Sequence, residues 1–231
     1  MVFITGDTHG HFKRIENFCA RFKTTVDDIL IINGDAGINT GMRRRDRQIK
    51  EYLSELPITL FCVHGNHEIR PHHIASYREL IFYGGRAWWD PEFPDMHFAK
   101  DGEVYSFNGL KTLIIGGAYS VDKFYRLENN RMWFADEQPS HEIKRYVESQ
   151  IAQYDYQFDV ICSHTCPERY IPMEMFIAGI DQSTVDQSTE KWLDCIADLV
   201  SPKVWYCSHY HTNKVVDKTV FLYDDIREFG K

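Results

Sequence analysis

The chain has 231 residues, a formal net charge of −8, 43% hydrophobic residues and 26% charged ones. That length buries a hydrophobic core without disulfides or structural zinc, and the composition is that of an ordinary soluble globular protein. The acidic balance argues against broad electrostatic binding to nucleic acid or to an anionic membrane, while leaving room for a locally positive pocket.

Short apolar runs alternate with amphipathic segments, the pattern of β-strands interleaved with α-helices. Val2–Thr5 predicts a first strand, and His11 to Lys23 a helix with Phe12, Ile15, Phe18, Cys19 and Phe22 on one face. Ile29–Asn33 is continuously apolar, as a strand buried on both faces should be. A helix over Met42–Leu56 starts on Arg43, Arg44, Arg45 and Arg47 and stops at Pro57; Thr59–Val63 predicts a third strand.

A stretch rich in Trp, Pro and Gly follows without clear periodicity. Val104–Phe107 and Lys111–Ile115 then predict a hairpin turned by Asn108-Gly109. Residues 119–139 are aromatic and charged and read as an excursion over the site at the sheet edge. Ser140 is the expected N-cap of a helix to about Tyr154. Asp159–Ser163, a helix near Thr189–Val200, the strand Lys203–Cys207 and a closing hairpin around Asp217-Lys218 complete a single domain spanning 1–231. Six cysteines, none in a CxxC pair, read as reduced core thiols. No signal peptide is expected before the first motif at Gly6, and no apolar run approaches the ~20 residues of a membrane span, so the expected location is the cytoplasm.

Polar clusters stand directly after the predicted strands. They are Gly6-Asp7-Thr8-His9-Gly10, Gly34-Asp35-Ala36-Gly37, Gly65-Asn66-His67-Glu68, Ser163-His164 and Ser208-His209-Tyr210-His211. In α/β proteins ligand sites gather beyond the carboxyl ends of strands, so these clusters can converge. Asp7 and His9 are two apart, as are His209 and His211, and in extended chain such pairs project to one side. Imidazoles, carboxylates and an amide without thiolate suit a transition metal at an open, reactive centre.

In order and spacing, GDTHG, GDAG, GNHE, SH and SHYH resemble the motifs of the calcineurin-like metallophosphoesterase superfamily, from Asp7 to His211. The superfamily pattern has Gly before the final HxH, where this chain has Ser208. The resemblance implies a four-layer α/β/β/α sandwich with two mixed sheets and a dinuclear metal site at the strand ends. It further implies one ion held by Asp7, His9, Asp35 and His211, and a second by Asp35, Asn66, His164 and His209, with Asp35 shared. His67 matches a histidine that faces the leaving group rather than a metal.

The implied cofactors are two divalent or mixed-valence transition-metal ions: Mn, Fe or Zn, or else Ni, Co or Mg. Two such ions clamp the attacking and leaving oxygens of a displacement and acidify a water. The expected function is therefore hydrolysis of a small-molecule or protein-borne phosphate ester, phosphomonoesters favoured, with a phosphodiesterase or nuclease as alternative. A non-catalytic metal-binding scaffold is the reading from another class. Nucleic acid is not favoured as partner, and no membrane is expected.

Arg70, Arg126 and Arg131 are candidates to touch substrate, Arg70 because it lies three residues beyond His67 and the other two because they sit in the aromatic excursion. His64 reads equally as a residue orienting a ligand or as packing. Glu68 leans towards structure, and Arg43–Arg47 towards a solvated helix face.

Overall fold

The first three strands lie on their apolar runs and pair in parallel: β1 (Val2–Thr5), β2 (Ile29–Ile32) and β3 (Thr59–Cys62). The computed structural model describes residues 1–176, 178–179 and 181–231. Every residue of these strands is buried because alternate side chains enter two different cores. Val2, Ile4, Ile29, Ile31 and Phe61 point one way. Phe3, Leu30, Ile32, Leu60 and Cys62 point the other, beneath helices α1 (Lys13–Phe22) and α2 (Arg43–Ser54), which contribute Ile15, Phe18 and Leu53.

The stretch without periodicity is β-structure. It folds into β4 (Arg78–Phe82), β5 (Gly85–Asp90) and β6 (Phe93–Ala99), and β6 joins β3 in parallel. With β13 (Ile226–Glu228), which the sequence reading also passed over, these complete a seven-stranded mixed sheet, β13-β1-β2-β3-β6-β5-β4. They escape a pattern reading because β4 and β13 have no fully buried residue and because β6 carries a proline, Pro94, near its start. β4, β5 and β6 pair in succession as antiparallel neighbours, while β6 with β3 and β13 with β1 join strands remote in sequence.

The second sheet contains β7 (Val104–Phe107), β8 (Leu110–Ile115), β9 (Val160–Ser163), β10 (Val204–Cys207), β11 (Lys214–Val216) and β12 (Thr219–Phe221). Its order is β11-β12-β10-β9-β8-β7, parallel through β8, β9, β10 and β12. The β7–β8 hairpin turns on Asn108 (φ 52°) and Gly109 (φ 76°), both left-handed, as its two-residue loop requires. Helices α4 (His141–Gln153) and α5 (Ser188–Leu199) cover this sheet with Val147, Ile151, Leu193 and Ile196. Ser140 caps α4, its side chain accepting a hydrogen bond from the Ile143 amide.

Between the two sheets lies a further core in which Phe61 meets Tyr105 and Phe107 edge-on. The layers are thus helices, sheet, sheet, helices. Residues 119–139 contribute a short helix, α3 (Lys123–Glu128), with no buried residue. All six cysteines are free; Cys195 is exposed, which corrects its expected place in the core, because it lies on the outer face of α5.

Candidate metal centre

Each chemistry-bearing cluster begins where a strand stops. Loops after β1, β2 and β3 deliver Asp7 and His9, Asp35, and Asn66 and His67; loops after β9 and β10 deliver His164, and His209 and His211. The crevice at these carboxyl ends therefore draws on both sheets, as expected for α/β folds.

Two overlapping donor groups result: Asp7, His9 and His211, and Asp7, Asp35 and His164, with the ligand atoms of each lying within 4.8 Å of one another. His211 Nε2 is 3.3 Å from Asp7 Oδ2 and 2.9 Å from His9 Nε2. Asp35 Oδ2 stands among three imidazoles, 3.9 Å from His9 Nδ1, 3.8 Å from His164 Nε2 and 3.9 Å from His67 Nε2. The His209 ring centre is 5.2 Å from that of His164.

These residues fit a cation. Both carboxylate oxygens of Asp7 are buried without a hydrogen-bond partner, an arrangement that costs several kcal/mol unless positive charge accompanies it. The orientation of His164 gives a second sign. Its Nδ1 lies 3.2 Å from the Asn33 carbonyl, which turns Nε2 towards the centre, 2.9 Å from Asn66 Oδ1. The amide orientation is set by a relay: Asn66 Nδ2 donates to Ser120 Oγ at 2.9 Å, and Ser120 Oγ donates to Glu137 Oε2 at 2.6 Å. His164 Nε2 and Asn66 Oδ1 are thereby presented to one small space, where a cation could take them together. Ser120 and Glu137 were not read from the sequence; they lie in the excursion, far from any motif.

The backbone is strained around the same centre. His9, Asp35, His209 and His211 all have positive φ, between 39° and 66°, which is uncommon outside glycine and concentrates at functional sites. Side chains hold the loops in this state. Arg14 Nη2 donates to the Gly6 and Asp7 carbonyls, both at 2.9 Å, and Glu68 Oε1 accepts from the Gly37 amide at 2.5 Å. Glu68 is fully buried in this role, and burial followed by the nearby Asp35 pushes its carboxyl up to about 8. His64 is buried with Nε2 unpartnered, and burial drives its imidazole well below the usual range.

His67 belongs to neither donor group. Its amide donates to Asp35 Oδ1 at 2.9 Å, and its Nε2 lies 3.3 Å from Arg126 Nη2. Burial holds its pKa below the ordinary imidazole range, against the pull of Asp35 and with the help of Arg126. Burial weighs most on Asp35 too, but His164, His67 and His9 reverse it and hold that carboxyl well below the usual carboxylate range. His211 is raised, chiefly by the Asp7 carboxylate, which lies 3.3 Å from its Nε2.

The three candidate arginines part company. Arg126, gripped by both carboxylate oxygens of Asp122 at 2.8 Å, lines a cavity of about 410 Å³ shared with His9, Asp35, Asn66, His67, His209 and His211. Arg70 does not reach it. It is 3% exposed, donates to Asp101 Oδ2 at 2.5 Å and to the Asp136 carbonyl at 2.7 Å, and so serves packing. Arg131 stacks over Tyr125, with its guanidinium 5.0 Å from the ring centre, and is not among the residues lining the cavity. Arg45, from the basic start of α2, lines a second space of about 160 Å³ that also meets His9, Asp35, His67 and Arg126.

The sequence profile of the calcineurin-like phosphoesterases matches residues 1–213. No curated protein matches the sequence significantly. The fold is similar to that of the protein TT1561 of Thermus thermophilus, with a TM-score of 0.50 and 12% identity over 96% of this chain and 87% of that one. A weaker likeness, with a TM-score of 0.39 and 14% identity, joins 96% of this chain to 87% of the phosphopantetheinyl hydrolase PptH from Mycobacterium tuberculosis. Among the described residues no helix is long and apolar enough to cross a membrane. With its profile matched over nearly the whole length and its candidate metal-binding side chains gathered at the strand ends, the chain belongs to the calcineurin-like phosphoesterase family.

Proposed function

We propose that the protein is a phosphomonoesterase that works with two divalent or mixed-valence transition-metal ions. The observation that carries this reading is Asp7, a buried carboxylate with two unpartnered oxygens where two donor groups overlap. Asp7, His9, Asp35 and His211 would hold one ion; Asp35, Asn66, His164 and His209 would hold the other. Asp35, central among three imidazoles, is the shared ligand in this division. When bound, such ions supply Lewis acidity to the phosphoryl oxygens and lower the pKa of a water.

The remaining roles belong to the chain itself. Asn66 is oriented by the Ser120–Glu137 relay, and Asp35 by the His67 amide. His67 is the group assigned to supply the departing alkoxide with a proton: its Nε2 accepts from Arg126 before substrate arrives, and it takes up that proton once a bound phosphate draws Arg126 to itself. Arg126, fixed by Asp122 beside that nitrogen, receives a phosphoryl oxygen through its planar fork. A monoester is favoured over a nucleic-acid diester because the chain is acidic overall and the site opens into a largely apolar cavity rather than a basic groove. The free cysteines support a reducing, cytoplasmic setting.

Metal analysis of the purified protein, followed by assays of mono- and bis-nitrophenyl phosphate with Mn²⁺, tests the reading. Bound transition metal with faster turnover of the monoester is expected. Preference for the bis-ester would assign a phosphodiesterase, and no turnover of either ester with any transition metal would leave a metal-binding scaffold.

A further inference from the structure

Away from the candidate ligands, the cavity beside the metal centre is lined largely by apolar groups. Tyr119, Val121, Phe176, Val185 and Tyr210 form this part, and phosphate recognition has no use for them. The 410 Å³ volume lies in the range of sites that enclose a sizeable organic ligand. Glu190 of α5 also lines it, although only 4% of its surface is exposed. One of its oxygens accepts from Thr165 Oγ1 at 2.7 Å, while the other, Oε2, is buried with no hydrogen-bond partner. A buried carboxylate oxygen left in that state is costly, and a ligand bearing a donor would relieve the cost.

Resting on the phosphoesterase reading above, we propose that this cavity receives the organic part of the ester, that this part is chiefly apolar, and that it carries a hydrogen-bond donor for Glu190. Glu190 is then a specificity residue rather than a catalytic one, since it lies outside the candidate ligand set. A small hydrophilic ester would leave the apolar lining wet and Glu190 Oε2 unanswered. An apolar chain or ring ending in an amine or hydroxyl satisfies both.

Manganese-loaded protein titrated calorimetrically with non-hydrolysable n-alkyl phosphonates from propyl to octyl, and with the matching ω-amino and ω-hydroxy phosphonates, tests the proposal without requiring turnover. Affinity should rise roughly fourfold per methylene until the cavity is filled. At the chain length that reaches Glu190, the terminal donor should add a gain of roughly ten- to a hundredfold. The isosteric Glu190→Gln keeps an acceptor for Thr165 and should abolish the donor gain while preserving the dependence on chain length. Val185→Asp, which charges the lining, should flatten that dependence. Affinity independent of chain length in the native protein overturns the proposal, as does a donor gain that survives in Glu190→Gln. Inorganic phosphate, titrated in parallel, reports separately on the metal-centre reading. If it does not bind the loaded protein, that reading falls, while the slope across the phosphonate series still decides what the cavity takes.

Discussion

Asp7 and His67 occupy one centre and yet differ in kind. Asp7 keeps two bare oxygens inside a donor group; His67 stands outside both groups, against Arg126. His67→Ala is expected to retain the bound metal while losing roughly two to four orders of magnitude in turnover of esters with poor leaving groups, the usual worth of a positioned acid. Metal content measured beside the rate on alkyl phosphates checks this, and parallel loss of metal would show that the residue is a ligand instead.

A second prediction at this scale concerns His97, remote from the candidate ligands in sequence. It packs against Phe82 with ring centres 3.9 Å apart, its Nδ1 has no partner, and burial lowers its pKa from 6.5 to about 4. The unfolded chain therefore takes up this proton first. Stability should fall as pH drops from 6.5 towards about 4, with no further loss from this group below that. His97→Leu should flatten the pH dependence of the melting temperature across that window; an unchanged profile would remove His97 as its source.

At the scale of elements, the site depends on how closely two loops approach. A Cβ built on Gly34 would lie 1.8 Å from His164 Nδ1, and Gly34 has φ of 115°, a conformation L side chains rarely adopt. Gly34→Ala should therefore destabilise the fold by about 1–3 kcal/mol and displace His164. Calorimetric unfolding with and without Mn²⁺ should show both a lower melting temperature and a smaller rise on adding metal. The strands that carry these loops were legible because β1, β2, β3, β9 and β10 are short, fully apolar or nearly so, and end in a polar cluster. β4 and β13 were not, because edge strands with half-exposed faces carry no alternating signal, and of the interior strands β5 begins on Gly85 and β6 carries Pro94. Arg70 misled for a similar reason. Its spacing from His67 suggests a phosphate contact, but Asp101, which claims it, sits on a loop beyond β6.

For the whole molecule, a buried cluster of carboxylates and imidazoles drawn from two sheets is a liability without counter-charge and a clasp with it. Removing metal with a chelator should lower the melting temperature, and adding Mn²⁺ at a hundredfold excess over its dissociation constant should restore about 2.7 kcal/mol of stability. A melting temperature indifferent to chelator and metal alike would mean that the cluster does not bind ions tightly.

The sequence by itself determined the identity and order of the candidate ligands. Each motif is local, a glycine-rich turn after an apolar strand, and local spacing is what a sequence records directly. The tertiary structure alone decided which donors share a space, that Arg126 reaches the cavity while Arg70 is buried against Asp101, and that the Ser120–Glu137 relay orients Asn66. The apolar cavity with Glu190 belongs to the same class. Its lining comes from loops and helices far apart in the chain, and only the packing of two sheets and their helices brings those residues together.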